Sequence, residues 1–104
     1  MSYKLVAYIP ENHLETVKSA LFDAGAGSQG DYDQCCWQVR GEGQFRPLAG
    51  SNPHLGKQDV LERVPEWRIE VLVEDVSLEA VKKALLASHP YEEPAYDFYL
   101  IADV

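Results

Sequence analysis

Apolar residues recur at i, i+3 and i+7 in two stretches, Leu14, Val17, Leu21 and Leu78, Val81, Leu85. This spacing predicts two amphipathic helices. The stretches are copies of one another. From Leu14 to Leu21 and from Leu78 to Leu85, six of eight positions are identical at an offset of 64. The same offset lays Lys4–Ile9 on Arg68–Val73, and both runs have the apolar character of strands. Two copies of strand-then-helix therefore make up the chain. Asn12 with Glu15 fits a capping box, and Ser77 is placed to cap the second helix. Gly25 and Gly27 are expected to end the first helix. Pro90 ends the second by forcing Ser88 and His89 toward extended geometry.

A strand is expected after each helix: Tyr32 to Arg40 and then Gln44 to Arg46 after the first, Ala95 to Ala102 after the second. Tyr96, Phe98 and Leu100 then share one face. The predicted order is βαββαβ, an α+β, ferredoxin-like single domain over residues 1–104 with a four-stranded antiparallel sheet. Right-handed crossovers place both helices on one face of that sheet. Val6, Tyr8, Leu72, Tyr99 and Ile101 keep the opposite face apolar, and a sheet apolar on both faces is usually covered on both. Self-association through the open face is expected. The connection from Gly41 to Glu66, with four glycines and three prolines, is too long for a hairpin turn and is the expected seat of specificity.

Composition narrows the partners. The chain has 104 residues, room for one domain with one core. Nine basic against 17 acidic residues give a net charge of -8, which disfavours nucleic acids and anionic membrane surfaces. No apolar run approaches the ~20 residues of a membrane span. The N-terminal Met-Ser-Tyr-Lys-Leu-Val enters a strand pattern at once, leaving no room for a signal peptide, so a cytoplasmic protein is expected. The only cysteines, Cys35 and Cys36, are adjacent and are expected as reduced thiols in a strand.

Two segments concentrate chemistry. His89-Pro-Tyr-Glu-Glu-Pro-Ala-Tyr-Asp97 sets an imidazole, two carboxylates and two phenols between prolines. His89, Tyr91, Glu92 and Glu93 could bind a ligand, and His89 with Glu92 could hold a divalent metal ion. The same residues could also serve only the helix end and the turn. Adjacent carboxylates alone are weak evidence of acid–base catalysis. Gly41-Glu-Gly43-Gln44-Phe45-Arg46-Pro47 could cradle an anion, with Arg46 as its bidentate partner, or could be a twisted hairpin. It is not a P-loop, because no Lys-Ser/Thr follows. His13 and His54 are expected at the surface, and the three histidines have no zinc spacing.

These two segments, preceded by Gly30-Asp-Tyr32-Asp-Gln-Cys35, in this order and spacing, resemble the YqfO-type accessory domain of the NGG-interacting-factor-like family. The resemblance covers essentially the whole chain. It implies a fold similar to CutA and the PII signalling proteins, and a homotrimer. The family's two-metal centre belongs to a flanking core whose ligand pattern is missing here. A small-ligand or metal-ion binding, regulatory module without catalysis of its own is therefore expected, with Gly43–Pro47 and His89–Tyr96 lining clefts between subunits. The alternative is an accessory subunit that serves a metal-binding core homologue of the GTP-cyclohydrolase-type-2-like family in trans.

Overall fold

The computed structural model describes all of residues 1–104. β1 (Ser2–Pro10) passes through a 3-10 turn (Glu11–His13) into α1 (Leu14–Asp23), and β2 (Trp37–Phe45) follows. β3 (Glu62–Glu74) passes through a second 3-10 turn (Asp75–Ser77) into α2 (Leu78–Ser88), and β4 (Tyr96–Ile101) closes the sheet. Every boundary from the end of the strand to the start of the helix thus recurs 64 residues on. The strands lie in the order β2-β3-β1-β4, each antiparallel to its neighbours. Val6 and Glu70, equivalent in the repeat, are directly opposed in the β1–β3 register, so a local two-fold axis runs through that pair.

Alternation along the central strands sorts their side chains. Leu5, Ala7 and Ile9 of β1 and Ile69, Val71 and Val73 of β3 face the helices and are buried. They meet Leu14, Val17 and Leu21 of α1 and Val81 and Leu85 of α2, the predicted stripes, in one core cluster. Burial of these stripes holds the helices, since isolated helices of this length are marginal in water.

Three boundaries differ from expectation. Neither Asn12 nor Ser77 makes a side-chain cap; both lie in the 3-10 turns, where Leu14 and Leu78 give their N–H groups to the carbonyls of Glu11 and Asp75. The backbone itself satisfies donors that a cap would otherwise take. β2 begins at Trp37 rather than Tyr32. Gly30 (φ 57°) and Gln34 (φ 55°) bend the preceding stretch, and Cys35 N–H returns to Gly27 O at 2.8 Å. β2 then continues unbroken through Gly41 and Gly43. β3 begins at Glu62 and includes Pro65, which lies beyond the last β1 pair (Pro10↔Glu66) and pairs only with β2. The connection between β2 and β3 shortens to residues 46–61.

The face away from the helices carries Val6, Tyr8, Leu72, Tyr99 and Ile101 as expected, together with Trp37 and Val39. Charges interrupt it. Glu70 pairs with Lys4 at 3.4 Å and with Arg68 at 3.3 Å, and Arg68 donates to the Tyr8 hydroxyl at 2.7 Å while stacking on its ring. Trp37 and Tyr99 stand more than half exposed on either side of this strip. No helix is long and apolar enough to cross a membrane.

Leu85 is fully buried against both central strands' layer. Leu85→Ala should lower unfolding stability by about 2–5 kcal/mol with an unchanged m-value in urea. A loss below about 1 kcal/mol would show that the α2 stripe is not part of the core.

Candidate functional site

α2 stops because Pro90 follows His89. His89 turns extended (φ -72°, ψ 132°), its N–H still closing on Leu85 O at 2.9 Å. The ring is then pinned from both sides. Nε2 lies 2.7 Å from Tyr8 O, and Tyr91 N–H donates to Nδ1 at 3.1 Å. A carbonyl only accepts, so Nε2 carries the proton and Nδ1 presents its lone pair. The ring is neutral and 6 % exposed. Burial pushes its pKa below the ordinary histidine value, outweighing the bond to Tyr8.

The repeat explains this arrangement. In the first half Gly27 N–H donates directly to Leu72 O at 2.8 Å. Sixty-four residues on, the first of this pair becomes Tyr91; sixty-four back, the second becomes Tyr8. Between them the second half inserts the His89 imidazole, so one backbone bond becomes a two-bond relay. Tyr8 N–H meanwhile pairs with Ala95 O, just beyond the last β1–β4 pair.

The relay sets Tyr91 over the sheet. Its hydroxyl donates to Glu66 Oε2 at 2.7 Å, and burial with that carboxylate raises its pKa, so it remains a donor. The Glu66 carboxylate occupies the space that a Cβ on Gly43 would need. Glycine at 43 is thus what allows Glu66 to reach Tyr91. Phe45 lies 5.9 Å from Tyr91 and His54 6.4 Å from it, centroid to centroid, while His13 meets His54 edge-on at 5.3 Å. Glu92 accepts Asn52 N–H at 3.1 Å, which ties the 46–61 loop to the α2–β4 junction.

These contacts enclose an open cleft of about 580 Å³. Of the residues predicted for the site, Gln44, Phe45, Arg46, Tyr91, Glu92 and Glu93 line it. Gly43 and His89 do not; they stand behind it, one making room for Glu66 and the other fixing Tyr91. Tyr8, Glu66 and His54 also line the cleft; Glu66 and His54 fall in the Gly41–Glu66 connection expected to carry specificity, while Tyr8 was not foreseen. The three histidines, expected apart, gather around Tyr91. The offset of 64 could have shown part of this, since His89 maps on Gly25 and His13 on Ser77, and Gly25 packs against Ser77.

The metal role considered for His89 and Glu92 does not fit this geometry. Both ring nitrogens of His89 are bonded to backbone, which leaves no lone pair for an ion. Glu92 is held by Asn52, and no group of three or more His, Cys, Asp or Glu side chains has a metal-binding arrangement.

The neutral relay makes a pH prediction. Because its folded pKa lies below the ordinary 6.5, His89 binds protons more readily in the unfolded chain. Its contribution is complete above pH 6.5 and is lost as pH falls through the folded value. His89→Ala should cost about 1–3 kcal/mol at pH 7.5 by orphaning Tyr8 O and Tyr91 N–H. Its urea stability should also fall less than the parent's between neutral and acid pH. Equal pH slopes for the two proteins would contradict the relay.

No family model matches the chain. It is 46% identical over 101 residues to the GTP cyclohydrolase 1 type 2 homolog of Halalkalibacterium halodurans, which covers 97% of this chain and 27% of that protein. A Bacillus cereus protein related to NIF3 superposes with a TM-score of 0.83 at 40% identity, over 98% of this chain and 26% of the other. The PII-like protein CutA from Nostoc sp. PCC 7120 gives a TM-score of 0.66 at 12% identity, over 95% of this chain and 80% of its own, a likeness of fold alone. The chain spans about a quarter of the length of the curated relative it matches. The chain is therefore a homologue of one segment of the NIF3-related GTP cyclohydrolase 1 type 2 homologs, and that segment has the α+β fold of CutA and PII-like proteins.

Proposed function

We propose that the chain is a regulatory module that binds a small ligand, acts as a homo-oligomer, and performs no catalysis of its own. The cleft carries this reading. It brings the Gly43–Pro47 segment and the His89–Tyr96 junction, far apart in sequence, to one concavity whose volume suits a small organic molecule. The hydrogen-bonded Tyr91 and Glu66 both line it, with Gly43 behind them making room for the Glu66 carboxylate. Residues 46–51 and 53–55 of the β2–β3 loop line it as well. Hydrogen bonds from Tyr91 to Glu66, from Asn52 N–H to Glu92 and from Ser51 to Leu48 O tie its lining together. Self-association, a trimer by the resemblance to CutA and PII proteins, is supported by the exposed Trp37 and Tyr99 on the sheet face that no helix covers. A cytoplasmic setting suits Cys35 and Cys36, both free thiols.

One observation favours a second reading. Since the chain matches a quarter of proteins named GTP cyclohydrolase 1 type 2 homolog, it could serve as an accessory subunit to a separate homologue of their remaining length. Capture of such a homologue by the purified chain, with a ligand-insensitive cleft, would favour this role over the first.

A thermal-shift screen with metabolites and divalent ions tests the module. A binder present at ~1,000 times its Kd adds roughly 4 kcal/mol of stability, a shift of many degrees for a domain of this size. The shift should vanish in Glu93→Ala or Arg46→Ala, whose side chains are exposed and unpaired. Stabilisation that survives both substitutions would place the ligand elsewhere. Light scattering that returns a monomer at micromolar concentration would remove the oligomer.

A further inference from the structure

Resting on the cleft as a ligand site, we propose that its ligand is a small basic zwitterion: one carboxylate, a net positive charge and a short apolar stem, the chemistry of the basic amino acids. The charges in the cleft point there. The chain has four arginines, and three are in ion pairs: Arg40 with Glu11 at 2.8 Å, Arg63 with Glu42 at 3.6 Å and Arg68 with Glu70 at 3.3 Å. Arg46 is the exception. It lines the cleft together with Glu66, Glu92 and Glu93, yet pairs with none of them.

Opposite charges thus line one cleft from different segments of the chain without forming an ion pair. Arg46 follows the end of β2, while Glu92 and Glu93 belong to the junction before β4. Fixed partners keep two of the carboxylates in place: Asn52 N–H on Glu92 and the Tyr91 hydroxyl on Glu66. A ligand that bridges these segments would present a carboxylate to Arg46, whose planar fork suits it, and an ammonium or guanidinium to the carboxylates. The carboxylates alone would only repel anions. It is the unpaired guanidinium in the same cleft that adds the call for a carboxylate on the ligand.

Charge also excludes alternatives. A nucleoside di- or triphosphate would bring several negative charges against three carboxylates with one guanidinium to offset them, on a chain of net charge -8. A simple diamine would leave Arg46 unanswered. The Phe45 and Tyr91 rings, tilted at 56° and 5.9 Å apart, also line the cleft and offer apolar surface for an alkyl stem and a π-face for a cation.

Calorimetric titration of the intact chain with two matched pairs tests this: L-lysine with cadaverine, and L-arginine with agmatine, each pair differing by the carboxylate. ATP and inorganic phosphate serve as anionic probes. At least one amino acid should bind about tenfold more tightly than its decarboxylated partner. Arg46→Gln should bring that ratio close to one, and Glu93→Gln should weaken both members. Both residues are exposed and unpaired, and unchanged urea unfolding of the two variants confirms that the fold is intact. Tighter binding of ATP or phosphate, or equal binding within each pair, overturns the ligand class while leaving the cleft a binding site. If none of the six probes binds, the zwitterion is overturned; if metabolites in the thermal-shift screen also fail, the cleft itself falls as a ligand site.

Discussion

The imidazole of His89 is the contact on which the rest of the cleft depends. Placed between Tyr8 O and Tyr91 N–H, it does the work that a single backbone bond does in the first half of the chain. The consequence is spacing. Where Gly27 N–H bonds Leu72 O directly, Tyr91 N–H stands off from Tyr8 O by the width of a ring. That stand-off lets the Tyr91 side chain reach Glu66. A buried ring with both nitrogens satisfied costs little to keep neutral, whereas protonation would turn Nδ1 into a donor facing another donor.

Duplication and divergence divide the molecule between them. The core is nearly symmetric about the Val6–Glu70 pair: equivalent strands, equivalent 3-10 turns and equivalent helix stripes. The asymmetry lies at the helix ends. The first half closes α1 with Gly25 and Gly27 at positive φ and a backbone too close for a side chain. The second half has His89 and Tyr91 at the matching positions. A symmetric frame thus carries one junction whose side chains depart from the repeat.

Much of the frame was legible in the sequence because it rests on local periodicity. Leu14, Val17 and Leu21 define a helix face whatever lies beyond it, and the 64-residue offset then supplies the topology. Helix entry was less legible: Asn12 and Ser77 have cap chemistry, but the 3-10 turns satisfy the same donors through the backbone. The motif segments announced eight of the cleft's residues. Tyr8 gave no sign, since it looks like an ordinary strand residue until His89 bonds its carbonyl. Glu66 was legible only as the end of the Gly41–Glu66 connection, not as the partner that Gly43 makes room for. The histidine cluster depended on where the 46–61 loop folds back, which no local pattern encodes.

The ring of His89 is the place to test this account most directly. Long-range proton–nitrogen correlation NMR at pH 7 reads its protonation and tautomer. The account predicts a neutral ring with the proton on Nε2 and an unprotonated Nδ1, in slow exchange with solvent. A ring protonated on both nitrogens, or carrying its proton on Nδ1, would contradict it.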